Sequence, residues 1–190
     1  MKELKNPSYV GIGSRKTPPN ALKIFYYLGA TLAEKRFTLR SGHAAGADQA
    51  FEDGCDSSNG KKEIYLPWKG FNNSDSNLFY ISTEAYNLAD NFHPAFKQQS
   101  FGVQKLLARD GYQVLGLNLN DPCKMIICYT EFGKLKGGTS QAIRIAKAYN
   151  IPVFNLGEYS DSDKFINDVL SYSEFILSHK NPLEFYDMSK

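Results

Sequence analysis

Three glycine-bearing stretches gather the residue types that suit an anionic ligand. In Gly11-Ile12-Gly13-Ser14-Arg15 the glycines permit a tight turn and let backbone N–H groups approach a phosphate closely. Ser14 adds a hydroxyl donor and Arg15 a planar fork matched to phosphate oxygens. Glycines that serve packing alone are the competing explanation. The stretch Ser41-Gly42-His43-Ala44-Ala45-Gly46-Ala47-Asp48 is built of small residues, so either a ligand or another helix comes close to its backbone. Asp48 suits a ribose hydroxyl or a ligand amine, and equally the cap of a helix that starts there. His43 suits a phosphate, or faces solvent uncommitted. The third stretch, Gly133-Lys134-Leu135-Lys136-Gly137-Gly138-Thr139-Ser140, opens a helix. It offers free N–H donors, the Thr139 hydroxyl and the positive end of the helix dipole, with Lys134 and Lys136 beside them. Thr139 as a plain N-cap is the alternative. The spacing is not that of a Walker loop.

Two further residues bear on chemistry. Arg109 is read as the end of a helix before Asp110-Gly111-Tyr112-Gln113, where it either reaches a phosphate or satisfies helix carbonyls. Trp68 either stacks on a base or anchors packing. The histidines are scattered without paired-ligand spacing, and no metal site is expected. No cofactor is required, and magnesium is expected only as a companion of ligand phosphates.

The elements that must position these loops follow from hydrophobic periodicity. Apolar runs at Tyr9–Ile12, Phe37–Arg40, Glu63–Leu66, Lys124–Tyr129 and Ile151–Asn155 read as strands. Helical patterns fit Asn20–Lys35, with Leu22, Phe25, Tyr26, Gly29, Leu32 and Ala33 on one face, and Ala47–Cys55, Thr83–Asp90, Phe96–Arg109, Ser140–Tyr149 and Asp161–Ser178. Residues 68–94 are irregular and are read as a long connection carrying one helix. Strands alternating with helices predict an α/β fold: a Rossmann-like three-layer sandwich with a mainly parallel sheet of about five or more strands. Ligands of such sheets sit beyond the carboxyl ends of the strands, where the glycine stretches fall.

Bulk properties narrow the classes. A chain of 190 residues suits one domain, here a core over about 8–156 followed by a C-terminal helix and tail over 157–190. A net charge of +2 is too small to argue for nucleic acid on its own. With 42% apolar residues, 12 Tyr and 13 Phe, the composition is that of a globular chain with bulky core residues. The cysteines Cys55, Cys123 and Cys128 lack CxxC spacing. With no apolar leader and no segment of membrane-spanning length, the expected setting is the cytoplasm, without a membrane partner.

Taken in chain order, these stretches resemble the SLOG superfamily, which groups the DNA-processing protein DprA (Smf) with the LOG-type nucleotide hydrolases, and most nearly its small phage-type DprA-like members. Gly13-Ser14-Arg15, Ser41-Gly42 with Gly46-Ala47-Asp48, Leu107-Ala108-Arg109-Asp110 through Gly116, and Gly137-Gly138-Thr139 carry the resemblance, which spans about Ser8 to Leu156. It implies a ligand set of Gly11, Gly13, Ser14, Arg15, Ser41, Gly42, His43, Gly46, Ala47, Asp48, Arg109, Lys136, Gly137, Gly138, Thr139 and Gln141. LOG-type enzymes place a glutamate three residues beyond the threonine, where this chain has Ala142. Asp48 and Glu131 are the remaining catalytic candidates. The first expectation is therefore binding of a phosphorylated nucleotide or nucleotide-derived signal, as a sensor, carrier or anti-defence sponge. N-glycosidic hydrolysis of a nucleotide and DprA-like binding of single-stranded DNA are the alternatives. The resemblance also implies a homodimer or higher homo-oligomer.

Overall fold

The computed structural model describes residues 5–135 and 137–179. Its strands are β1 (Ser8–Gly13), β2 (Thr38–Ser41), β3 (Lys61–Ile64), β4 (Ile126–Tyr129) and β5 (Val153–Asn155). They form one five-stranded sheet in the order β3-β2-β1-β4-β5, parallel throughout. The helices are α1 (Pro19–Glu34), α2 (Ala47–Ser57), α3 (Thr83–Phe92), α4 (Phe101–Leu115), α5 (Thr139–Ala148) and α6 (Ser162–Ser178). The α/β three-layer arrangement expected from periodicity is the one observed.

Each sheet face has its own core. On one side α1, α2 and α6 bury Phe25, Leu28, Phe51, Phe165 and Val169 against Tyr9, Leu39 and Ile127. On the other, α4 and α5 bury Val114, Leu115, Ile143 and Ile145 against Val10, Ile12, Ile126 and Cys128, and α3 packs on α4 through Ala85, Ala89 and Ala108. Central strands covered on both faces must be apolar throughout, which is why β4 reads as an unbroken hydrophobic run. Helices α1 and α2 cross closely. A Cβ added at Gly29 would lie 2.6 Å from the Phe51 carbonyl, and one added at Gly54 would fall on the Tyr26 carbonyl. Leu28, not Tyr26, completes the inward face of α1; Tyr26 is exposed.

Several boundaries move by a residue or two, and two of the differences from the sequence reading matter for the site. The third strand lies two residues earlier, at Lys61–Ile64; Tyr65 still donates to the Ser41 carbonyl of β2 while bridging to Leu78, and Leu66 turns away to donate to the Leu78 carbonyl. It is an edge strand, where exposed lysines are favoured because they discourage further pairing, so its apolar run marks its exit and not its length. The larger correction is α4, which starts at Phe101 and continues to Leu115 instead of ending at Arg109. Asp110-Gly111 resembles a stop, but Gly111 packs against Leu88, and the helix ends at Gly116, where φ is +74°. Arg109 therefore sits in mid-helix and caps no helix end.

Buried Arg40, at the end of β2, is satisfied by Glu63 (2.7 Å) and by the side chain and carbonyl of Asp121. Among the described residues no helix is long and apolar enough to cross a membrane. Cys55, Cys123 and Cys128 are buried free thiols.

Candidate functional site

Strand order determines where a crevice opens. From β1 the chain crosses by α1 to β2 on one side of the sheet, and from β4 it crosses by α5 to β5 on the other. The loops leaving β1 and β4 diverge, and the space between their carboxyl ends is the place for a ligand in a doubly wound sheet. A cleft of about 810 Å³ lies there.

One wall is the turn after β1. Ser14 Oγ accepts from Lys16 N (3.0 Å), and the Ser14 carbonyl accepts from Thr17 N and Oγ1, so the turn is tightly wound. It presents Gly13, Ser14, Arg15 and Lys16 to the cleft. Gly13 has no room for a side chain, because an added Cβ would lie 2.7 Å from Ala47 Cβ. Gly46, at φ +93°, lets the start of α2 lie against Ser14 and Arg15. Asp48 then reaches back from the first turn of α2 and accepts from the N–H groups of Gly13 (3.3 Å), Gly42 (3.2 Å) and Ala44 (3.4 Å). It thus ties the loops after β1 and β2 together while bordering the cleft. Burial raises its pKa, opposed by Arg109 and these three N–H donors.

The opposite wall is the loop after β4 and the start of α5. Thr130 is held by reciprocal bonds with Asn155, at 2.9 and 2.7 Å. Glu131 opens a 3₁₀ turn and stands exposed at the cleft mouth, followed by Phe132, which is 77% exposed. Gly137 and Gly138 differ from the glycines near β1: a Cβ at either would meet nothing within 4 Å. Their backbone is open towards the cleft, and among the described residues no side chain caps α5, where Thr139 is the first helical residue and not the N-cap. Lys134 and Arg144 line the same cleft. Lys136 lies outside the described residues.

The floor comes from α4. Arg109 Nη1 donates to the Gly42 carbonyl (2.8 Å) and Nη2 to Asp110 Oδ1 (3.2 Å). A Cβ at Gly42 would meet this guanidinium and the Gln113 amide, so a larger residue there would displace both side chains. Asp110 is almost fully buried, and desolvation pushes its carboxyl up to about 7 despite Arg109 beside it. Gln113 is wholly buried, and among the described residues neither its amide nitrogen nor its oxygen finds a hydrogen-bond partner.

The structure therefore brings Gly13, Ser14, Arg15, Asp48, Arg109, Glu131, Gly137, Gly138 and Thr139 to one cleft. It commits others elsewhere. Gly11 packs under Phe51, and Ser41 Oγ donates to the Gly11 carbonyl (2.7 Å). Ala47 is buried against Gly13. His43 Nδ1 faces buried Glu52 at 2.9 Å, which replaces the expectation of an uncommitted or phosphate-facing ring. Gln141 is buried and donates to the Ala89 carbonyl (3.1 Å). Ala142, where the hydrolases place their glutamate, faces the core. Trp68 meets Phe71 edge-on, and it is Phe71 that borders the cleft.

Sequence reasoning missed Lys16, Arg144, Asp110 and Gln113 as cleft residues. Asp110 and Gln113 were hidden by ending α4 too early; continued, the helix places them one turn apart. Arg144 reads as an ordinary solvent-side residue of α5.

No protein-family model matches the sequence, and no curated protein matches it. Solved structures do. DNA processing protein A of Helicobacter pylori, described for its single-stranded DNA binding mode, matches with TM-score 0.54 and 18% identity, over 88% of this chain and 81% of that one. The molybdenum cofactor carrier protein of Chlamydomonas reinhardtii matches with TM-score 0.52 and 17% identity, over 86% and 85%. At the level of fold, the chain is similar to both.

Proposed function

We propose that the cleft binds a phosphorylated, nucleotide-derived small molecule, with its phosphate between the turn after β1 and the start of α5. The observation that carries this reading is that Arg15, Lys16, Lys134 and Arg144 line the same cleft as a helix start that, among the described residues, has no side-chain cap and whose glycines face open space. Backbone donors, helix dipole and guanidinium forks act together on a phosphate in such a site. The cleft volume suits a ligand of nucleotide size. Buried Ala142 leaves no carboxylate at the hydrolases' glutamate position, which favours binding over turnover.

Calorimetric titration with nucleoside monophosphates, with chromatographic recovery of the ligand, tests the reading. Binding with the ligand returned intact is expected. Arg15→Ala and Arg144→Ala should each weaken binding about tenfold or more, since each removes a charge-assisted contact. Equal affinity in both variants would remove the phosphate site from this end of the cleft. Recovery of free base would make the protein an N-glycosidase, with Asp48 or Glu131 as the next residues to replace.

A second reading, single-stranded DNA, is favoured by one observation. Phe132, between the cleft residues Glu131 and Lys134, stands exposed with Lys134 Nζ 5.5 Å from its ring centre, a pairing that can stack a base and hold the adjoining phosphate. Affinity for short single strands that falls steeply with salt and with Phe132→Ala would put this reading first.

A further inference from the structure

Three carboxylates line the cleft, and the fold uses them differently. Asp48 spends Oδ1 on the Gly13 N–H and Oδ2 on those of Gly42 and Ala44, so it is committed to holding loops. Glu131 stands exposed and hydrated. Asp110 is 3% exposed, yet its one hydrogen bond is made by Oδ1, which accepts from Arg109 Nη2. Among the described residues nothing donates to Oδ2, and this oxygen is not sealed off as the Gln113 amide is. Burying a carboxyl to this degree costs free energy that a single bond to Arg109 does not return. A protein that keeps such a group in a cleft supplies an acceptor whose partner comes from a ligand. The neighbouring Arg109 guanidinium also borders the cleft, with its side chain 10% exposed.

We propose that Asp110 is a specificity-determining residue that takes a sugar hydroxyl of the ligand on its unpartnered oxygen and so selects an intact ribose over its deoxy forms. The proposal rests on the phosphate reading above, which supplies the sugar phosphate. Chemistry narrows what can meet this oxygen. A phosphate oxygen or a ring carbonyl sets one acceptor against another when Asp110 is ionised. An ammonium group is drawn to the carboxylate but repelled by Arg109 beside it. A fixed N–H donor on a base pairs with the ionised form alone. A hydroxyl rotates, donating to a carboxylate or accepting from a carboxylic acid. That versatility matters because desolvation pushes Asp110 up to about 7, so both forms are populated near neutrality. A hydroxyl is also the group that can accept from the adjoining guanidinium while it donates to the carboxylate. The sugar-hydroxyl role that the sequence suggests for Asp48 thus passes to Asp110, whose oxygen the loops leave unused. A site with a buried polar group rejects an analogue that leaves it unpaired far more strongly than an apolar pocket rejects a misfit.

The test compares adenosine 5′-monophosphate, its 2′-deoxy and 3′-deoxy forms, and ribose 5-phosphate by calorimetry on the full chain. One of the deoxy forms should bind at least about tenfold more weakly than the parent nucleotide, and which one identifies the hydroxyl. In Asp110→Ala that ratio should fall to about one. Ribose 5-phosphate should itself lose about tenfold in the variant, because the contact is to the sugar. Asp110→Asn keeps the size of the side chain and serves if the alanine variant does not fold; a neutral bond should leave a ratio at least about threefold below that of the wild type. Equal affinity for the three nucleotides would overturn the sugar subsite, without any variant, and leave the phosphate reading standing. So would a ratio that survives in both Asp110 variants or collapses in Glu131→Ala instead. Weaker nucleotide binding in Asp110→Ala with ribose 5-phosphate unaffected would place the contact on the base and overturn the assignment. No binding by any ligand, ribose 5-phosphate included, would overturn both readings.

Discussion

At the scale of single residues, the cleft floor holds more ionisable character than its exposure suggests. Asp110 titrates near 7 in the folded protein because it is desolvated, whereas an unfolded chain gives aspartate a value near 4. Between about pH 4 and pH 7 the native state therefore binds a proton that the unfolded state has released. Stability is accordingly higher on the acid side of this window and is lost as pH rises through about 7. The full contribution of this group is about 4 kcal/mol. Asp48 and Glu52, both raised by burial, act in the same direction. Urea unfolding followed from pH 5 to pH 8 should show a falling midpoint, and Asp110→Asn should flatten the fall. A curve of unchanged slope would mean that Asp110 is better solvated than the cleft geometry implies.

At the scale of elements, the glycines divide into two kinds, and alanine substitution separates them. Gly54 lies where α2 crosses α1, and a methyl group would fall on the Tyr26 carbonyl, which cannot move without its helix. Gly54→Ala should cost about 1–3 kcal/mol by overpacking, measured by urea unfolding. Gly138 adopts helical angles, φ −62° and ψ −43°, and a methyl group there meets nothing within 4 Å. Gly138→Ala should leave stability within about 0.5 kcal/mol yet weaken phosphate binding, because the methyl group projects into the space over the start of α5. Loss of stability at Gly138 with binding intact would invert this assignment.

At the scale of the whole molecule, the site exists because two diverging crossovers leave a gap in one parallel sheet. Its walls come from α2, α4, α5 and two strand-end loops, so a ligand seated there bridges both halves of the sheet. A ligand that binds only the folded state at 100 times its Kd adds about 2.7 kcal/mol of stability. For a domain of this size that corresponds to a rise in Tm of about 5–10 °C. Thermal melts with and without saturating nucleoside monophosphate check this, and a Tm that stays flat under saturation would show that the ligand does not select the native cleft. The net charge of +2 predicts little long-range steering. On the proposed reading the attraction is local, since Arg15, Lys16, Lys134 and Arg144 all line the cleft.

Much of this arrangement was legible in the residues. Period-two and period-3.6 patterns, with glycines at strand ends, are local properties; they determined the alternating α/β order and marked the loops after β1, β2 and β4. What only tertiary structure decided was which groups in those loops remain free. Ser41, His43 and Gln141 carry plausible ligand chemistry, yet each is engaged by a partner distant in sequence or on the next helical turns: the Gly11 carbonyl, Glu52 and the Ala89 carbonyl. Asp110 and Gln113 show the reverse, since a glycine that looked like a helix stop is a packing contact with Leu88. Burial, hydrogen-bond commitment and the raised pKa of Asp110 depend on neighbours that folding supplies from elsewhere in the chain. The sequence by itself therefore determined the scaffold and the positions of the loops, and the packing of α2 and α4 beneath them decided which side chains face the cleft.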